Sequence, residues 1–141
     1  MSIKKMTVDR SGMADCAKQL LQDGKRILTF SGTLGAGKTT LVQEMLKQLG
    51  VSGPIASPTY TYVSVYPLKD GRTVYHFDLY RLSSFQECIQ AGFDEYLYDD
   101  KALCFIEWPE IIESLLPKQD VCKVSIEYID EKNRLITSVC D

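Results

Sequence analysis

The chain has no C-x-x-C pair, no lysine- or arginine-rich block, and no apolar stretch near the roughly 20 residues a membrane span requires. Each absence removes a class of function. The five cysteines (Cys16, Cys88, Cys104, Cys122 and Cys140) are odd in number and widely spaced. A disulfide framework, a zinc site and a dithiol redox motif are therefore not expected, and the cysteines read as small apolar core residues in a reducing compartment. The formal net charge is -3 with no basic block. That speaks against a protein that grips DNA or RNA tightly by itself. No signal-peptide-like apolar region stands at the start, so the expected location is cytoplasmic, with no membrane partner. The 141 residues suit one domain, 1–141, large enough for a single sheet-and-helix core.

What is present is concentrated in eight residues. Gly32-Thr33-Leu34-Gly35-Ala36-Gly37-Lys38-Thr39 spell G-x-x-x-x-G-K-T, a complete phosphate-binding loop. The preceding run, Arg26 to Ser31, reads as a buried strand. The following run has Leu41, Val42, Met45, Leu46 and Leu49 at helical spacing and stops at Gly50. Glycines let such a loop curl so that backbone N–H groups converge on phosphate oxygens, and the helix beginning there adds its positive dipole end. Lys38 supplies a point charge for the β- and γ-phosphates, and the Thr39 hydroxyl is suited to ligate Mg²⁺. Thr33, Leu34, Gly35, Ala36, Gly37, Lys38, Thr39 and Thr40 are the expected nucleotide contacts.

The rest of the chain supplies elements around that loop. Residues 12–22 carry Met13, Cys16, Ala17, Leu20 and Leu21 on one helical face, and Gly24 is a natural stop. Residues 51–58 are loop by composition. Thr59 to Tyr66 and Thr73 to Asp78 are strand-formers flanking an Asp70-Gly71 turn, which predicts a hairpin. Ser84 to Glu87 forms a capping box that opens a short helix ending at Gly92. Ala102 to Glu107 is an apolar strand ending in a carboxylate. Pro109 then opens a helix with Ile111, Ile112, Leu115 and Leu116 on its apolar face. Residues 121–129 and 134–140 predict a second hairpin. The fold class is α/β: a parallel core of βα units with added antiparallel hairpins. Residues 1–10 receive no element.

A phosphate loop needs an acid at the end of a neighbouring strand to hold Mg²⁺. Asp78 and Glu107 both qualify. The first assignment puts Asp78 in the metal's shell and has Glu107 position or deprotonate the attacking water; the reverse stays open. Ser57-Pro58-Thr59 lies where many phosphate-loop enzymes keep a switch segment, and Thr59 is its candidate sensor. Trp108, the single Trp, either packs near the nucleotide or a partner or fills the core. His76, the single His, reads as a packed or hydrogen-bonded strand residue ahead of a catalytic base. Tyr60, Tyr62, Tyr66 and Tyr75 form an aromatic strand stripe. Guanine specificity has no support, because no N-K-x-D motif appears and Asp78-Leu79-Tyr80-Arg81 lacks a switch glycine. ATP is the expected nucleotide.

In order, the phosphate loop with Thr40, Ser57-Pro58-Thr59-Tyr60, His76-Phe77-Asp78-Leu79-Tyr80-Arg81-Leu82 and Glu107-Trp108-Pro109 resemble the bacterial TsaE family, also called YjeE or YdiB. The H-F-D-L-Y-R-L and E-W-P strings are the specific part. The resemblance implies a phosphate-loop ATPase fold with antiparallel strands flanking a parallel core and helices on both faces. It implies a small ATPase required for making threonylcarbamoyladenosine in tRNA, working with TsaB and TsaD and meeting tRNA only indirectly. The family's Mg²⁺ and catalytic motifs fall on Thr39, Asp78 and Glu107, its switch threonine on Thr59 and its nucleotide-site tryptophan on Trp108. No arginine-finger motif is evident, so turnover by the isolated chain is expected to be slow and partner-stimulated. The alternatives are a small-molecule or nucleoside kinase, disfavoured because no Arg-rich lid stands out, and a nucleotide-gated adaptor without turnover.

Overall fold

The computed structural model describes residues 1–33, 35–51, 63–117 and 119–141. In chain order the elements are β1 (Ser2–Val8), α1 (Met13–Gln22), β2 (Ile27–Ser31), α2 (Lys38–Gln48), β3 (Val63–Pro67), β4 (Thr73–Asp78), α3 (Phe85–Gln90), α4 (Phe93–Leu97), β5 (Ala102–Glu107), β6 (Val121–Tyr128) and β7 (Arg134–Cys140). Short 3₁₀ segments cover Arg10–Gly12 and Pro109–Leu115. All seven strands join one sheet in the order β1-β7-β6-β2-β5-β4-β3. The central strands β6, β2, β5 and β4 run parallel, and β3, β7 and β1 add antiparallel edges. This is the mixed α/β architecture that the strand and helix periodicities predict.

Side-chain alternation sorts the strands into two buried faces. Leu28 and Phe30 of β2, Phe105 of β5 and Val124 of β6 pack under α1 and α2, with Met13, Cys16, Ala17, Leu20, Leu41, Val42, Met45 and Leu46. Ile27, Phe77, Cys104, Ile106 and Val121 face the other way, onto Cys88 of α3, Phe93 and Leu97 of α4, and Ile112 of the second 3₁₀ segment. The buried stripe of α1 has the 3.6-residue spacing of an amphipathic helix. Each fully buried Leu or Met contributes about 1.5–3 kcal/mol relative to exposure.

At the start of the parallel strands, the Arg26 guanidinium is bonded throughout. It donates to Asp120 Oδ2 at 2.8 Å and to the carbonyls of Asp99 (2.7 Å), Ala102 (3.2 Å) and Leu97 (3.1 Å). One side chain thereby ties the beginnings of β2, β5 and β6 to the end of α4.

The structure departs from the sequence reading at several points. Ser2–Val8 forms an edge strand on β7, although only Val8 is buried and Met6 half-buried. Its strand state comes from pairing with residues more than 125 positions away, which no local pattern reveals. Phe93–Leu97 is a further short helix. The segment after Pro109 is 3₁₀ rather than α. The reading of all five cysteines as free core residues is corrected for two. Cys122 and Cys140 stand directly opposite each other on β6 and β7 and are joined in a disulfide, whereas Cys16, Cys88 and Cys104 are free and buried. The tyrosine stripe is split: Tyr66 packs on the α1–α2 side and Tyr75 on the other, while Tyr60 and Tyr62 lie outside the described residues.

Candidate functional site

The phosphate loop leaves the C-terminal end of β2 and enters α2 at Lys38. Gly32 presses against β6 at the point of departure: a Cβ there would meet the Ile126 carbonyl oxygen at 2.5 Å, so only hydrogen fits. Gly37 is the N-cap of α2 with φ 109°, a left-handed conformation that a side chain would strain. These two glycines place the loop over the sheet edge and start the helix directly beneath it.

Three strand ends meet at this point. Phe30 of β2 is in register with Glu107 of β5, and Glu107 with Asp78 of β4. Because Val74 and Phe105 belong to the α1–α2 face, alternation puts His76, Asp78 and Glu107 on that same face. Glu107 is 2% exposed. Its Oε1 accepts from the Thr39 hydroxyl at 3.0 Å, and its Oε2 lies 2.5 Å from His76 Nε2. Asp78 is half-buried and accepts from the Tyr80 N–H at 3.0 Å. Burial pushes the Asp78 carboxyl above its ordinary range, and the Glu107 charge adds to that, while the Tyr80 N–H, His76 and Lys38 pull back.

Lys38 is 4% exposed. Its ammonium donates to the Gly32 carbonyl at 2.6 Å and sits 3.4 Å from the centre of the Trp108 ring. Burial lowers its pKa, and the charges of Glu107, Glu110 and Asp78 work against that. Trp108 itself is left-handed (φ 57°), which costs a non-glycine residue about 1–2 kcal/mol. The turn aims the indole back across the loop, with Tyr80 4.9 Å away on its other contact. Trp108 thus neighbours the loop lysine instead of vanishing into the core.

On the other side of the loop is a cavity of about 330 Å³ that the sequence did not disclose. Val8 and Met13 give it apolar wall. Gly35, Ala36, Gly37 and Thr40 form the side toward the loop, and the first 3₁₀ turn and the β6–β7 hairpin bring charge of both signs, Arg10, Lys132 and Arg134 beside Asp9 and Glu131. Arg134 donates to the Ala36 carbonyl at 3.1 Å, fastening the hairpin to the loop. Arginines spaced nearly the length of the chain from each other carry no local signal of convergence.

Of the residues expected at the site, Gly35, Ala36, Gly37, Lys38, Thr39 and Thr40 lie on the loop and the first turn of α2. Asp78, Glu107 and Trp108 come in from β4 and β5, and Thr33 is exposed at the loop's outer side. Leu34 and Thr59 lie outside the described residues, as does the Ser57-Pro58 segment. The donor set of Thr39, Glu107 and Asp78 is all oxygen, the hard-ligand chemistry that suits Mg²⁺. The buried Lys38 and a loop entered through Gly32 and left through Gly37 fit a polyphosphate. The other cluster of potential metal-ligating groups among the described residues, Asp23 with Cys122 and Cys140, is remote from the loop and holds the disulfide.

The family model for threonylcarbamoyl adenosine biosynthesis protein TsaE matches residues 7–136. The tRNA threonylcarbamoyladenosine biosynthesis protein TsaE of Haemophilus influenzae is 41% identical over 116 residues, covering 82% of this chain and 72% of its own length. Its counterpart from Treponema pallidum is 38% identical over 120 residues, 84% of each chain. Among solved structures, the crystal structure of Bacillus subtilis YdiB is similar with a TM-score of 0.73 at 28% identity, covering 98% of this chain and 86% of that one.

Proposed function

The chain belongs to the TsaE family of threonylcarbamoyladenosine biosynthesis, and on that premise we propose that it binds ATP with Mg²⁺, hydrolyses it slowly to ADP and phosphate, and acts in tRNA modification with TsaB and TsaD partners. The observation that carries this reading is the meeting of Lys38, Thr39 and Glu107 at one strand end beneath a glycine-shaped loop. Mg²⁺ held there by the Thr39 hydroxyl and the Glu107 carboxylate would offset the negative charge of the phosphates.

The chain's own residues have separable tasks in this scheme. Lys38 leaves the Gly32 carbonyl and the Trp108 ring to meet phosphate, and its buried ammonium gains an anionic partner by doing so. Thr39 and Glu107 would hold the metal. The Thr39–Glu107 hydrogen bond supports this over the first assignment, which gave the metal to Asp78. Asp78, one strand further out and half-buried, is then the group that orients the attacking water. The cavity beside Gly35 and Met13 takes the nucleoside end, with apolar wall for a base and Arg10 and Arg134 for polar edges. Contact with tRNA is indirect in this reading, since the chain is acidic overall.

Calorimetric titration of ATP, with and without Mg²⁺, tests the binding step. Phosphate release is then compared between the isolated chain and its mixture with TsaB and TsaD. Binding that Mg²⁺ strengthens, with slow turnover accelerated by the partners, is expected. Glu107→Gln is expected to remove most of the Mg²⁺ effect on affinity, and Asp78→Asn to lower turnover more than affinity. Absence of heat in every titration would refute the reading, and the opposite split between the two variants would restore the first assignment.

A further inference from the structure

We infer that His76 is the positioning residue for Glu107: its Nε2–H holds Oε2 of the carboxylate, so that Oε1 alone is presented to Thr39. This deepens the Mg²⁺–nucleotide reading above and rests on it for its consequence, though not for its geometry.

The placement of the ring is the first argument. His76 is 0% exposed in the middle of β4, between Val74 and Phe77, which are also buried. An apolar side chain would fill such a place at no polar cost, whereas a buried imidazole must find a hydrogen-bond partner to offset its lost hydration. The ring does have a partner: Nε2 is 2.5 Å from Glu107 Oε2, within hydrogen-bond reach. The register explains why the two meet. His76 pairs with Phe105, so Glu107 is its diagonal neighbour two residues further along the same face.

The second argument is the carboxylate. Glu107 could rotate about its terminal bond if only one oxygen were engaged. Here each oxygen has its own donor, the Thr39 hydroxyl from α2 on Oε1 and the imidazole from β4 on Oε2. Three elements thus fix one carboxylate plane. Nδ1 has no hydrogen-bond partner among the described residues. Donation to Glu107 requires the proton on Nε2, and Nδ1 is then the ring's acceptor nitrogen. Carboxylates that act at metals are commonly oriented in this way by a neighbouring group, and loss of that group typically lowers metal affinity or activity about 10–100-fold.

The test uses two substitutions and one spectrum. ATP affinity is measured by calorimetry in Mg²⁺ and in EDTA for wild type, His76→Phe and His76→Gln. The ratio of the two affinities is expected to fall about 10–100-fold in His76→Phe and to recover largely in His76→Gln, which returns an N–H donor to the same side chain. A ratio unchanged in His76→Phe, or equally lost in both variants, would overturn the proposal. Because His76 is the single histidine, a two-bond ¹H–¹⁵N spectrum of the wild-type chain reads this ring alone, even where His76→Phe fails to fold. A proton on Nε2, with ring resonances that move in Glu107→Gln, is the expected result. A proton on Nδ1, or indifference to Glu107→Gln, would refute the assignment. If wild type binds no nucleotide under any condition, the functional reading fails while the spectrum still decides whether the ring holds the carboxylate.

Discussion

The two ends of the same parallel strands treat charge in opposite ways. At the start of β2, β5 and β6, the Arg26 guanidinium meets Asp120 and three backbone carbonyls. At the finish of β2, β4 and β5, the buried Lys38 ammonium has one carbonyl and an indole face, and no ion pair within 4 Å among the described residues, although Glu107, Glu110 and Asp78 surround it. The first cation is satisfied by the fold and has nothing left to offer a ligand. The second is desolvated but incompletely met, which is the condition of a group awaiting an anion. On the proposed function, stability and function are thus segregated along a strand length of about 17–20 Å, the usual span of such strands.

Breaking each end separately is the sharpest check. Lys38→Ala is expected to lower ATP affinity at least about a hundredfold, by removing the phosphate-facing charge, with little change in the urea midpoint. Arg26→Ala is expected to cost about 2 kcal/mol of stability by stranding the part-buried carbonyls of Leu97 and Ala102, while the folded fraction keeps its ATP affinity. If Arg26→Ala lost nucleotide affinity in proportion to stability, the division between the ends would be false. A smaller effect follows at the open end. Trp108 is the single tryptophan and rests on Lys38, so its emission is expected to shift when Mg²⁺ and ATP draw the ammonium away. The same addition to Lys38→Ala is expected to leave the spectrum unchanged.

The least effect concerns the closed end. Burial pushes the Cys104 thiol up to about 12, against an ordinary value of 9.0. The folded chain then holds a proton that the unfolded chain releases between those values. This contribution to stability is complete below pH 9 and is lost as pH rises toward 12. The urea midpoint is expected to decline over that interval less steeply in Cys104→Ala than in wild type. Iodoacetamide at pH 8 should leave Cys104 unlabelled in the native protein.

How far the sequence revealed these two ends depends on the range of the interactions. The open end was legible because its parts are local: a glycine loop, a helix with period 3.6, and two strands ending in acids. Ser84 was legible as a cap for the same reason and accepts from Glu87 N–H, although the Glu87 carboxylate turns to Ser83 and leaves half of the capping box unmade. The closed end was not legible. Arg26 and Asp120 are 94 positions apart, and nothing near either residue announces the other. The same holds for β1 on β7, for Cys122 opposite Cys140 and for the convergence of Arg10 and Arg134 on the cavity. His76 lies between these cases. Its place on a strand was readable, but its partner required the register of β4 against β5.

That register has a consequence for how such a chain can vary over generations. Asp78 and Glu107 share one rung of adjacent parallel strands, and side chains alternate strictly along each. A residue exchanged within β4 or β5 disturbs a single position. A codon inserted or deleted there would swing every later side chain in that strand to the opposite face and carry one acid away from Lys38. Changes of length are therefore tolerable in the turn at Lys69–Gly71, and not between Thr73 and Asp78 or between Ala102 and Glu107.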